Sequence, residues 1–155
     1  LYSHKYKNIS DVPDGAAIAI PNDPNNGSRA LLLLSKQGWI TLRAGADPTK
    51  LTVQDIVANP KNIQITELEA GQLPRSLDDT AGSVINAGYA IAAKIPVTDR
   101  IATEDDTSPY VNVIAARAKD KDNPAYQKFV KAFQSPEVRQ YIEENFKGEL
   151  VPAWK

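Results

Sequence analysis

Residues 22–29 read Asn-Asp-Pro-Asn-Asn-Gly-Ser-Arg and hold the most chemically suggestive group of side chains in this 155-residue chain. They follow an apolar run, residues 16–21 (AAIAIP), bounded by turn signals as a buried strand is. They precede residues 29–37 (RALLLLSKQ), which predict a helix with an apolar face, Ser28 as its N-cap and Arg29 at its first position. Open α/β sheets bind ligands where a strand ends and a helix begins. The N–H groups and positive dipole end of a helix attract anions there. Arg29 adds a planar fork suited to a carboxylate, and Asn25 lies within reach of the same loop. These residues suit a small anionic or zwitterionic ligand. They equally suit an ordinary polar turn with a surface arginine, and the residue types alone leave both readings open.

Two further places have the same character. Asn86, in Val-Ile-Asn-Ala-Gly-Tyr, lies just past a second buried strand, where its amide can donate and accept. Residues 108–112 (SPYVN) bring Tyr110 and Asn112 to a strand that leaves a long connection. Each could also be a turn or capping residue. Catalysis finds little to work with. The single histidine, His4, reads as a surface residue beside Lys5. Asp78–Asp79 and the run Glu104, Asp105, Asp106 lack the spacing of a metal site and read as solvated loops. With no nucleophile motif and no glycine-rich phosphate loop, we expect no enzyme, no metal and no cofactor.

The elements that must position these residues alternate between strand and helix. A breaker cluster at Pro13, Asp14 and Gly15 precedes the first strand. Residues 39–42 (WITL) predict a strand, and Thr52 with Asp55 resembles a capping box opening a short helix that Pro60 ends near Asn59. Residues 63–68 predict a strand, 72–79 a short helix and 82–85 another buried strand. Residues 111–116 (VNVIAA) are β-branched and predict a strand. Asn123-Pro124 and Ser135-Pro136 each start a helix, the first to about Gln134 and the second to near Gly148. Tyr126, Phe129, Val130 and Phe133, then Val138, Tyr141, Ile142 and Phe146, recur at helical spacing, as core-facing residues do. Residues 95–108 form a long stretch without a clear element, of the kind that connects subdomains. The pattern predicts an α/β protein with a mostly parallel sheet.

The formal net charge is −1, from 18 basic and 19 acidic residues interspersed along the chain. That offers no clustered basic face for nucleic acid or an anionic membrane. The absence of cysteine excludes disulfides, thiolate metal sites and a cysteine nucleophile within these residues.

Six stretches carry a resemblance to a known family: residues 1–6 (LYSHKY), 17–34 (AIAIPNDPNNGSRALLLL), 68–79 (LEAGQLPRSLDD), 84–90 (VINAGYA), 106–113 (DTSPYVNV) and 135–154 (SPEVRQYIEENFKGELVPAW). In this order they resemble the NlpA-type lipoproteins, the methionine-binding subunits of ABC importers. The resemblance implies a type 2 periplasmic-binding-protein fold, with two α/β lobes closing on L- or D-methionine or a close relative such as a dipeptide. It implies that Arg29 pairs with the ligand carboxylate and that Asn86 and Asn112 hold its amino and carboxylate groups. Asn25 and Tyr110 complete the candidate ligand contacts. It also implies a membrane permease and an ATPase as partners, and an extracytoplasmic, lipid-anchored location.

Members of that family carry further chain before the position of Leu1, including the anchor cysteine and an aromatic segment that wraps the methionine side chain. The expected organisation is therefore ligand-binding lobe two over residues 8–100. Hinge strands and a C-terminal part of lobe one would occupy residues 1–7 and 101–155. Self-association, or pairing with an N-terminal fragment, would cover Tyr126, Phe129 and Phe133. The alternatives on the same bilobal fold are an enzyme or a regulatory ligand-sensing domain.

Overall fold

The computed structural model describes residues 1–105, 108 and 110–154. Asp106 of the acidic run and Pro109 of the Ser-Pro-Tyr segment lie outside the described residues. The chain forms two compact units, Leu1–Thr107 and Ser108–Lys155.

The first unit is built on β1 (Ala17–Pro21), the strand expected from the apolar run. Ile18, Ala19 and Ile20 are all fully buried, which requires cover on both faces of the strand. Successive side chains point to opposite faces, so Ile18 and Ile20 join one core and Ala19 the other. On the first face lies α1 (Pro24–Lys36), which buries Gly27, Ala30, Leu31 and Leu34 at helical spacing. The helix starts earlier than Ser28 would have it. Asp23 is the N-cap, accepting from Asn26 N at 2.9 Å, and Pro24 presets the first helical φ. Asp-Pro outcompetes Ser-Arg as a start signal because it supplies the cap and the fixed dihedral together.

A two-stranded antiparallel ladder follows, β2 (Thr41–Leu42) with β3 (Ile56–Ala58). The Thr52–Asp55 box is formed, yet it opens a single 3-10 turn (Val53–Asp55) and then β3, where a short helix was expected. Ile56 and Val57 are β-branched and enter the ladder directly. β4 (Gln64–Leu68) pairs parallel with one side of β1. A 3-10 turn (Ala70–Gln72) leads into α2 (Leu73–Ser76), and β5 (Gly82–Ser83) pairs parallel with the other side. The main sheet is thus parallel, in the order β4-β1-β5. Leu73, Leu77, Ile85, Ala90 and Tyr2 pack its second face with Ala19.

After β5 comes α3 (Ala87–Ala92), and then a 3-10 turn (Val97–Asp99) inside the stretch that lacked a clear sequence signal. Residues 1–2 and 100–102 close the unit together. Tyr2 bridges both Ser83 and Arg100, the Leu1 nitrogen donates to Ala102 O at 2.8 Å, and Ile101 N donates to Leu1 O at 2.9 Å.

The second unit holds α4 (Pro124–Phe133) and α5 (Pro136–Phe146), each with proline at its start and capped as expected. Asn123 accepts from Ala125 N at 2.9 Å and Ser135 from Val138 N at 3.4 Å. Residues 111–116 form no strand with any of the described residues, which corrects the strand expected there. β-branched composition favours extension, whereas a strand also needs a neighbour to take its hydrogen bonds. The aromatic stripe of α4 is exposed: Tyr126, Phe129 and Phe133. Phe129 contacts Phe133, which contacts Trp154, and Arg139 stacks on that indole.

Candidate functional site

β1 and β5 are adjacent and parallel, so their carboxyl ends emerge at one edge of the sheet. The chain after β1 supplies residues 22–26, and the chain after β5 supplies Asn86 at the N-cap of α3. Asn86 Nδ2 donates to Asn26 Oδ1 at 2.9 Å, a contact between residues sixty apart in sequence. Asn86 Oδ1 is buried and has no hydrogen-bond partner among the described residues. A buried carbonyl left unpaired costs free energy, so this oxygen has acceptor capacity that the described residues do not use.

Asn26 is held in turn. Its backbone N and its Nδ2 both donate to the Asp23 carboxylate, at 2.9, 3.2 and 3.0 Å. That carboxylate sits on the N-terminus of α1 and neutralises the anion-attracting end of the helix. Positive charge at this edge is therefore the business of Arg29, one turn beyond Asn26 on the same face of α1. The Arg29 guanidinium is partly buried and donates from Nε to Glu104 Oε1 at 2.7 Å and from Nη2 to Oε2 at 2.5 Å. One turn of α1 thus carries both Asn26, paired with Asn86, and Arg29, paired with Glu104.

Packing fixes the helix start against the strand end. Gly27 approaches so closely that a Cβ there would lie 2.9 Å from Pro21 O. Ser28, fully buried, donates to Pro48 O at 2.7 Å and accepts from Leu51 N at 3.0 Å, tying α1 to the chain ahead of β3.

Of the residues singled out in the sequence, Arg29, Asn25 and Asn86 fall on this edge. Asn25 is exposed in the first turn of α1. Tyr110 and Asn112 lie in the second unit, outside any helix or strand, where Tyr110 N donates to Ser108 Oγ at 3.3 Å. His4 is on the surface with Nδ1 2.9 Å from Asp78 Oδ1. Among the described residues, no group of three or more His, Cys, Asp or Glu could hold a metal ion. Two residues were missed. Asn26 could have been found from its place two residues after the Asp-Pro start, whereas Glu104 carries no sequence signal because its partner lies 75 residues away.

A parallel α/β unit with polar groups gathered at the carboxyl edge of its strands has the arrangement at which open α/β sheets take their ligands. The chain belongs to the NlpA lipoprotein family, which matches residues 1–154. It is 48% identical over 156 residues to the D-methionine-binding lipoprotein MetQ of Escherichia coli K12, covering 99% of this chain and 57% of that protein. Its fold matches a nutrient-binding protein from Burkholderia cenocepacia bound to methionine with a TM-score of 0.86 and 54% identity. That match covers 97% of this chain and 64% of the other. A periplasmic substrate-binding protein of an ABC transporter from Coxiella burnetii matches with a TM-score of 0.87 and 42% identity, over 98% of this chain and 64% of that one. The chain therefore spans between half and two thirds of the length of these relatives.

Proposed function

We propose that the protein captures methionine outside the cytoplasm and delivers it to an ABC importer. The observation that carries this reading is the buried Asn86 Oδ1, which lacks a partner while its own amide is fixed by Asn26. An α-ammonium donates to such an oxygen, and Arg29 on the neighbouring turn takes the α-carboxylate. The methionine held by the Burkholderia cenocepacia relative, at 54% identity, supports that choice of amino acid. Asn25, Asn112 and Tyr110 are assigned as further contacts by the family resemblance. The role is non-catalytic, in keeping with relatives that are named as binding proteins.

In the same reading, residues 8–100 form ligand-binding lobe two, while residues 1–7 and 101–155 supply crossings and part of lobe one. The mutual pairing of Leu1 with Ile101 and Ala102 supports paired crossings. The partners are a membrane permease and its ATPase, and the protein is held at the membrane by a lipid anchor, as its lipoprotein family suggests. The described helices include none long and apolar enough to cross a membrane.

Calorimetric titration with L-methionine, D-methionine and L-leucine tests the reading. Saturable heat with methionine and none with leucine supports it. Equal heats with leucine would remove methionine as the ligand, and no heat with any of the three would remove the amino-acid assignment.

A further inference from the structure

Glu104 stands where a ligand carboxylate would stand. Its two oxygens take Nε and Nη2 of Arg29 in the bidentate geometry that a guanidinium offers to any carboxylate. The next residue, Asp105, pairs with Lys36, seven positions after Arg29 on α1. Positions seven apart fall on one stripe of a helix, so two consecutive carboxylates strap residues 101–105 along α1. The strap is short, because Ile101 and Ala102 are already bonded to Leu1. A group tethered two residues from an anchored point has an effective concentration in about the millimolar range or above.

We infer that Glu104 is an internal competitor for Arg29, setting the affinity for carboxylate ligands and tying ligand capture to release of residues 101–105. An incoming carboxylate must either take over the donors that Glu104 holds or sit beside a second negative charge on one guanidinium. In both cases Glu104 subtracts from ligand affinity, and by reciprocity the ligand loosens the hold on Glu104. Residues 101–105 follow the pairing with Leu1 and lie near the end of the first unit, so the loosening falls on the chain that precedes the second unit in sequence. This inference rests on Arg29 as the carboxylate clamp of the proposed function.

Titration of the full chain and of Glu104→Gln with L-methionine tests the competition. The glutamine keeps the length of the side chain and removes its charge. The expected result is about five- to tenfold tighter binding, at the low end of coupling factors for linked sites. That gain should vanish when Arg29→Ala and Arg29→Ala/Glu104→Gln are compared, because the competition acts only through the guanidinium. Unchanged or weaker binding in Glu104→Gln overturns the inference and makes Glu104 a support for Arg29.

Hydrogen exchange of the backbone amides of residues 103–105 gives a ligand-independent reading. Faster exchange in Arg29→Ala than in the parent is expected, and equal exchange overturns the strap. Should the parent bind no methionine while Arg29→Ala still frees these amides, the proposed function fails and the strap stands. Should methionine bind with equal affinity to parent and Glu104→Gln, the competition fails and the proposed function stands.

Discussion

Substitution of Gly27 by alanine would separate the start of α1 from the end of β1. An added Cβ would lie 2.9 Å from Pro21 O, which is backbone and belongs to the central strand of the sheet. An ordinary carbon–oxygen contact needs roughly half an ångström more, and close-packed interiors absorb such shifts at a cost of about 1–3 kcal/mol. The backbone at Gly27 is helical, so alanine also gains up to about 1 kcal/mol of helix propensity. The net expectation is a loss of about 1–2 kcal/mol for Gly27→Ala. Gly88 provides the control, since it lies in α3 with nothing within 4 Å of its added Cβ. Gly88→Ala should gain about 0.5–1 kcal/mol from propensity alone.

Urea unfolding followed by far-ultraviolet circular dichroism reads both changes as midpoint shifts at constant slope. Methionine titration of the same two proteins then reads the site. Asn26 adjoins Gly27, so its 2.9 Å contact with Asn86 lengthens when the helix start moves, and affinity falls. A Gly27→Ala protein as stable as its parent, with unchanged affinity, would refute the claim that close packing of α1 on β1 sets the site.

Three other outcomes are expected. Arg29→Ala should weaken methionine binding by about 1.5–3 kcal/mol, the scale of a lost charged hydrogen bond, and normal affinity would remove the carboxylate clamp. Ser28→Ala should lower stability by about 2 kcal/mol, because the buried Leu51 N–H loses its acceptor; an unshifted urea midpoint would show that the site relaxes. The Asp55 carboxyl is held below its ordinary value of 3.8, first by the backbone N–H of Thr52; desolvation opposes this, and that residue's hydroxyl and the Arg43 charge add smaller lowering effects. The folded state then binds fewer protons than the unfolded state at acid pH. Its stabilisation is present above the unfolded value and is lost as pH falls through the folded one. Asp55→Asn should therefore flatten part of the stability profile below about pH 4, and an unchanged acid limb would refute the assignment.

Much of this architecture is legible in local sequence. The run Ala16 to Pro21 reads as a strand covered on both faces, because six residues with no polar side chain are bounded closely by turn signals. Asn123-Pro124 and Ser135-Pro136 mark α4 and α5 through dihedral and capping rules that act within four residues. Arg29 and Asn86 are visible as candidates because each lies just beyond a buried strand. The same local reasoning misassigns the start of α1, where two start signals compete within one loop. It also misassigns residues 111–116, where β-branched composition is local but pairing is not.

Partnership is what the tertiary structure decided. Asn26 meets Asn86, and Arg29 meets Glu104, across 60 and 75 residues. Side-chain type states what a residue can bind, and a local motif states where its backbone turns. Which two such groups meet depends on the parallel order β4-β1-β5, which brings distant strand ends to one edge. Sequence alone therefore determined the elements and the chemical vocabulary of the site. Only the fold decided that one asparagine oxygen is left without a partner and that the arginine is already engaged, because both are properties of contacts that no short stretch of chain contains.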